Sequence, residues 1–266
     1  MNLLLLEPSE VGADGIAVLS GVRATHLRQI LRAQPGQDIR VGVIDGGRGA
    51  GTILSVDERT VTVECELEGE APERPPVDLL LALPRPKVMQ RLWAQIAALG
   101  VGHILLSNAE RVERNYFDTH ILEEDVYRPL LVEGLQQARD TRMPIVSIHR
   151  RLRVLVEDDL DSLCPRGARL VAHPGSERTF QTALVAYTNP DIIERQAPKI
   201  PSRVLLAVGP EGGWNNFELQ LMRAHGFKTV AMGSRTLRSD TALIALLALL
   251  HEAVSTSETT SGIPGR

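Results

Sequence analysis

The chain has 266 residues, 43% of them hydrophobic and 23% charged, with a formal net charge of −4. These values fit a globular protein of one large domain or two smaller ones, and they count against a generic nucleic-acid binder that relies on total charge. The two cysteines, Cys65 and Cys164, form no metal-type pair and no disulfide framework, which points to a reducing compartment and no metal. The apolar start Leu3-Leu4-Leu5-Leu6 is too short for a signal peptide and lacks a basic lead, and the apolar run 242–250 is too short for a bilayer. The expectation is a cytoplasmic protein with no membrane partner.

Residues 1–72 read as mostly β. Residues 39–43 alternate, Asp45-Gly46-Gly47-Arg48-Gly49 turns, 50–56 returns, and 60–65 adds a further strand. This pattern predicts a meander closing into a small barrel. Gly46, Gly47, Gly49 and Gly51 do not have dinucleotide-fingerprint spacing and have strands on both sides, so a hairpin is expected. One helix interrupts the strands. It is predicted to place Leu27, Ile30 and Leu31 on one face and Arg28 and Arg32 together on the other.

The polar, proline-rich segment 70–76 reads as a linker. Beyond it, strands predicted at 77–83, 103–106, 170–172, 204–208 and 229–232 alternate with helices at 88–100 and 122–138. That alternation predicts an α/β domain over 73–255 with a mostly parallel sheet. A last helix over 241–254 is apolar nearly all round, so it should be buried in its own domain and against a second subunit. The tail 256–266 is rich in Ser, Thr and Gly and should be disordered.

Two loops carry the chemistry. Val208-Gly209-Pro210-Glu211-Gly212-Gly213-Trp214 comes after an apolar strand and precedes a helix, the position at which α/β proteins leave backbone N–H groups for a ligand. It lacks a Gly-Lys-Ser/Thr ending, and Glu211 would repel a triphosphate, so it is not a P-loop. Met232-Gly233-Ser234-Arg235-Thr236-Leu237-Arg238-Ser239-Asp240-Thr241-Ala242 is the second loop, with Ser239, Asp240 or Thr241 able to cap the last helix. Arginines beside a helix start do not serve the macrodipole and point to an acidic partner or ligand. A third turn, Ala172-His173-Pro174-Gly175, ends another predicted strand.

The GPEGGW turn, the MGSRTLRSDTA loop and the hydrophobic helix, in that order, resemble the RsmE family. These are SPOUT-superfamily methyltransferases acting on N3 of a uridine in small-subunit (16S) ribosomal RNA. The His173-Pro174 turn fits as well, as does the N-terminal helix with Pro35-Gly36 after it. The resemblance implies a PUA-like RNA-binding β-barrel over 1–72, a SPOUT domain with a trefoil knot, a homodimer, and S-adenosylmethionine as methyl donor. It implies a donor site at Ala172, His173, Val208, Gly209, Pro210, Glu211, Gly212, Gly213, Met232, Gly233, Leu237 and Arg238. The uracil N3 proton must leave, so a base or an anion-stabilising cation is needed. Arg238 is the candidate for the cation, and Asp240 or Glu211 for the base. Arg23, Arg28, Arg32, Arg85, Lys87 and Arg111 are candidates for contacts to ribosomal RNA or the small subunit, Arg111 matching a family arginine.

The chain departs from the family pattern at Gln95 (a lysine), Ala98 (a glutamate), Gln136 (a glutamate) and Asp140 (an arginine, with Arg139 adjacent). These changes keep two alternatives open. One is a divergent paralogue acting on another RNA site. The other is a non-catalytic RNA-binding or ribosome-assembly protein of the same fold. A third reading, an α/β enzyme for a small nucleotide, is opposed by the missing phosphate-binding lysine.

Overall fold

The computed structural model describes residues 2–165, 167–185, 203–233, 235 and 237–260. The chain divides into two compact units, Met1–Arg74 with Pro129–Met143, and Pro75–Arg128 with Pro144–Arg266. The composition of Pro129–Met143 gives no sign of its place in the first unit.

In the first unit, β1 (Leu4–Leu6), β2 (Ile16–Ser20), β3 (Asp38–Val43), β4 (Arg48–Val56) and β5 (Thr60–Glu68) form one sheet in the order β1-β3-β4-β5-β2. The antiparallel meander comprises β3, β4 and β5. β1 joins it in parallel on β3, and β2 joins it antiparallel on β5. Alternation turns Val61 and Val63 inward onto Leu4, Leu6, Leu19, Val41 and Ile53. At Gly49 a Cβ would stand 1.8 Å from the Glu66 carbonyl oxygen, so β4 and β5 can approach this closely only at a glycine.

The expected helix takes a different form. A short α1 (Gly21–Thr25) runs into a π-turn over His26–Ile30. A π-turn holds more residues than an α-turn and rotates the side chains beyond it about the helix axis. Leu27 is fully buried, but Ile30 is 68% exposed and Leu31 37%. The shared apolar face of Leu27, Ile30 and Leu31 therefore does not form. Arg32, at φ 50°, has left the helix, so it does not pair with Arg28 on one face.

The second unit contains β6 (Val77–Ala82), α2 (Pro86–Ala98), β7 (Val101–Ser107) and the start of α3 (Glu124–Ala138). Next come β8 (Ile145–His149), α4 (Leu152–Val154), α5 (Leu160–Leu163), β9 (Ala168–Ala172) and α6 (Phe180–Val185). It closes with β10 (Val204–Val208), α7 (Asn216–Ala224), β11 (Phe227–Val230) and α8 (Ser239–Thr260). The strand order is β11-β9-β10-β6-β7-β8, and every pairing is parallel. A parallel sheet covered on both faces needs strands that are apolar throughout, and β6, β7 and β10 are buried along their whole length.

A buried charge lies inside this sheet. Asp78 in β6 is 2% exposed and accepts a hydrogen bond from Arg203 Nε at 3.1 Å. Burial and the Asp78 carboxylate push the nearby Cys164 thiol up to about 12, so it stays a protonated, inert thiol.

β8 escaped the sequence reading because it is an edge strand with Ile145 and Ile148 exposed. β11 begins two residues before the expected start at Thr229, because Gly226, at φ 86°, turns the chain straight out of α7 into the strand. α8 buries Leu243, Leu246, Leu247 and Leu250, while Leu249 is 41% exposed, so it is covered along one side rather than all round. The helix reaches Thr260 and overlaps the expected tail 256–266. Residues 261–266, with Ser234 and Thr236 of the second loop, lie outside the described residues. Among the described residues no helix is long and apolar enough to cross a membrane.

His251 on α8 is mostly buried, and its Nε2 has no hydrogen-bond partner among the described residues. Burial holds its imidazole below the ordinary 6.5, against a smaller opposing effect from the Leu99 backbone. The unfolded chain then binds the proton more readily, so this contribution to stability is present above pH 6.5 and is lost as pH falls below it. His251→Gln should lose less melting temperature than the wild type between pH 7.5 and pH 5.5 in paired thermal melts, on the order of one protonation linkage. Equal losses in the two proteins would show that His251 contributes nothing to the acid side.

Candidate active site

β9, β10 and β11 are adjacent parallel strands, so their carboxyl ends open on the same edge of the sheet. That edge is where an open α/β sheet binds its ligand. The loops after the three strands enclose a cavity of about 270 Å³. Ala172, His173 and Pro174 line it from β9, residues 208–214 from β10, and residues 230–233 from β11. Arg235, Leu237, Ser239, Ala242 and Leu246 close it at the start of α8.

The glycine turn has a specific construction. Gly213 N donates to Pro210 O at 2.8 Å, and Gly213 sits at φ 73°. Trp214, 4% exposed, folds back under the turn. A Cβ on Gly209 would meet the Trp214 indole at 3.1–3.2 Å, so the absent side chain makes room for the ring. His173 N donates to Val230 O at 3.0 Å, tying the β9 loop to the β11 loop.

Beneath the turn, Asn215 and Glu218 form a capping box at the start of α7. Glu218, 4% exposed, accepts from Asn215 N and from Glu110 N, both at 2.8 Å. The Arg111 guanidinium donates to the Gly212 carbonyl. The turn is therefore held from below by one carboxylate and from the side by one arginine.

All the expected donor-site residues except Arg238 line the cavity. The Arg238 side chain is 78% exposed, and its Nε lies 3.7 Å from Asp240 Oδ1. Asp240 is also outside the lining. It accepts from Thr241 N at 2.9 Å and lies 3.3 Å from Arg91 Nη2. The Thr241 backbone N–H, then Arg238 and Arg91, hold its carboxyl below the usual carboxylate range. Glu211 is on the cavity wall and exposed.

The residues expected to meet RNA are in varied settings. Arg23 pairs with Glu10, and Arg28 donates to the Glu58 carbonyl. Arg32 is exposed in the first unit, and Arg85 and Lys87 are exposed at the start of α2 in the second. Arg111 is engaged on the glycine turn. Sequence reasoning placed Trp214 in the turn without a site role and passed over Glu218, although the Asn-x-x-Glu spacing of 215–218 signals the cap.

Two buried ring nitrogens, Trp214 Nε1 and His173 Nδ1, have no hydrogen-bond partner among the described residues, and both residues line the cavity. The site is that of a parallel α/β domain that takes a ligand on glycine-rich loops at its strand ends, and its 208–214 turn carries no phosphate-binding lysine.

The comparisons with known proteins agree. The family described as RNA methyltransferase domain matches residues 72–251, and the RNA methyltransferase PUA domain matches residues 19–66. The chain is 30% identical over 254 residues to ribosomal RNA small subunit methyltransferase E of Treponema pallidum (strain Nichols), covering 94% of this chain and 90% of the relative. It is 24% identical over 245 residues to ribosomal RNA small subunit methyltransferase E 1 of Borreliella burgdorferi, covering 92% and 95%. The crystal structure of a ribosomal RNA small subunit methyltransferase E from Neisseria gonorrhoeae bound to S-adenosyl methionine superposes with a TM-score of 0.71 at 19% identity, covering 95% of this chain and 97% of that one. The chain belongs to the ribosomal RNA small subunit methyltransferase E family.

Proposed function

We propose that the protein methylates N3 of a uridine in small-subunit ribosomal RNA, with S-adenosylmethionine as donor. The observation that carries this reading is the cavity at the ends of β9, β10 and β11, lined by the three expected loops and with no lysine in the 208–214 turn. An adenosyl sulfonium suits such a wall. Glu211 is an acidic neighbour for the sulfonium charge, and Arg235 a basic one for the amino-acid carboxylate. When bound, the donor supplies an electrophilic methyl carbon.

The chain's own residues then have separate tasks. The glycine turn and the His173 loop orient the donor, and positioning of this kind supplies much of a transfer rate. Arg238, outside the donor wall, stabilises the N3 anion or an adjacent phosphate. Glu211 is the candidate to take the N3 proton. Arg32, Arg85 and Lys87 meet the RNA backbone. The exposed flank of α8 around Leu249 belongs to a homodimer contact, and the trefoil knot of the family and a cytoplasmic location complete the reading.

Gln95 and Ala98 are exposed on α2, and none of the four departures from the family pattern lines the cavity. Asp140 accepts from Thr141 N at 2.7 Å and Arg142 N at 3.0 Å, a local turn role. The departures therefore give no ground for a lost donor site. Two measurements test the reading. Calorimetry should show S-adenosylmethionine binding at micromolar concentration. Mass mapping of ribosomal RNA from a deletion strain should show loss of one N3-methyluridine. Binding without any change in the modification profile would point to another RNA target.

A further inference from the structure

A second concavity of about 390 Å³ lies in the same unit, lined in part by the start of α7 just after the glycine turn. Its lining includes Asn108, Glu110, Arg114, Asn215, Phe217 and Glu218. Phe217 stands out among the chain's four phenylalanines: it is 58% exposed, whereas Phe117, Phe180 and Phe227 are buried. A large aromatic left in solvent beside a pocket serves a ligand more readily than a core.

The polar groups around it are mostly donors. Asn108 Oδ1 accepts from Ala109 N at 3.0 Å, and Asn215 Oδ1 accepts from Glu218 N at 2.8 Å. Both amide carbonyls are thus taken, which leaves the two NH₂ groups to donate. Arg114 is exposed and has no acidic partner among the described residues. The buried Glu218 carboxylate already has a backbone N–H on each oxygen, so its acceptor capacity is turned inward. Glu110 is the one acidic side chain of the lining that remains exposed.

We propose that this pocket binds a single nucleotide of the RNA substrate, next to the one being methylated. The base stacks on the Phe217 ring, and its carbonyl oxygens accept from the Asn108 and Asn215 amides. Arg114 meets the neighbouring phosphate. Stacking on an aromatic and an arginine on the backbone are the usual means of holding an unpaired RNA base. Residues 208–214 line the donor cavity and Asn215, the next residue, lines this pocket, so the two sites are adjacent along the chain. The inference rests on the RNA methyltransferase reading and adds the acceptor-side subsite to it.

The test uses the full chain, S-adenosylmethionine and an unmodified small-subunit ribosomal RNA transcript. Phe217→Ala should raise the RNA dissociation constant and the RNA KM about 5- to 100-fold. Phe217→Trp should restore both, and the S-adenosylmethionine affinity and melting temperature should stay at wild-type values. Arg114→Ala should weaken RNA binding and make it less salt-dependent. Wild-type RNA affinity in Phe217→Ala, or a defect that tryptophan does not rescue, would overturn the stacking subsite. So would a defect seen with assembled subunits and absent with the naked transcript, because the pocket would then hold a ribosomal protein. A wild-type protein that neither binds the donor nor methylates RNA would remove the enzymatic reading and this inference together.

Discussion

Glu218→Ala should lower the stability of the protein by about 3 kcal/mol and weaken S-adenosylmethionine binding by about tenfold or more. The Glu218 carboxylate ties the underside of the donor turn to a second loop. One oxygen takes Asn215 N, immediately after the turn, and the other takes Glu110 N, in the loop after β7. Alanine would leave both N–H groups unpaired in a position where the glutamate is 4% exposed. Hydrogen bonds to a charged group contribute about 1.5–3 kcal/mol each, and two are lost. Loss of the cap would also free Trp214, which packs under Gly209 and lines the cavity. Glu218→Gln keeps one acceptor and should fall between wild type and alanine. Chemical denaturation and donor calorimetry on the three proteins check this. A stable Glu218→Ala with undiminished donor affinity would show that the turn holds its shape without the carboxylate.

The loops that line the cavity were legible in the sequence because their determinants are local. Gly209, Gly213 and Gly233 sit where a ring or a positive φ demands glycine, and each lies in a loop that leaves a strand. Parallel strands that are buried on both faces read as apolar runs, so β6 and β10 were plain. What the sequence hid depends on partners far along the chain. The tie from Glu218 to Glu110 spans 108 residues, and Arg111 reaches Gly212 across 101. No spacing rule announces such a contact. β8 was hidden for a different reason: an edge strand needs no apolar run, and its exposed isoleucines blur the alternation. The π-turn at His26–Ile30 has no sequence signature in periodicity, since it breaks the period on which the reading depends.

Arg238→Ala should reduce kcat about 100- to 1000-fold while leaving the S-adenosylmethionine dissociation constant unchanged. The split comes from its place: Arg238 does not line the donor cavity, and its side chain is 78% exposed. Its only ion-pair neighbour among the described residues, Asp240, is 3.7 Å away and is already held by Thr241 N and Arg91. The guanidinium is thus free to turn to the N3 anion or a phosphate without breaking a strong bond. Arg238→Lys keeps the charge but not the planar fork, so it should recover part of the loss. A variant that loses donor affinity in step with kcat would place Arg238 in the donor wall instead. The same geometry makes Asp240 the weaker candidate for the base. A carboxyl held below its ordinary range is ionised at neutral pH, but it is a poorer proton acceptor than an unperturbed one. Asp240→Asn should therefore keep the acidic limb of the kcat–pH profile, while Glu211→Gln should flatten it. If the limb disappears in Asp240→Asn and survives in Glu211→Gln, the proton goes to Asp240, in the first turn of α8.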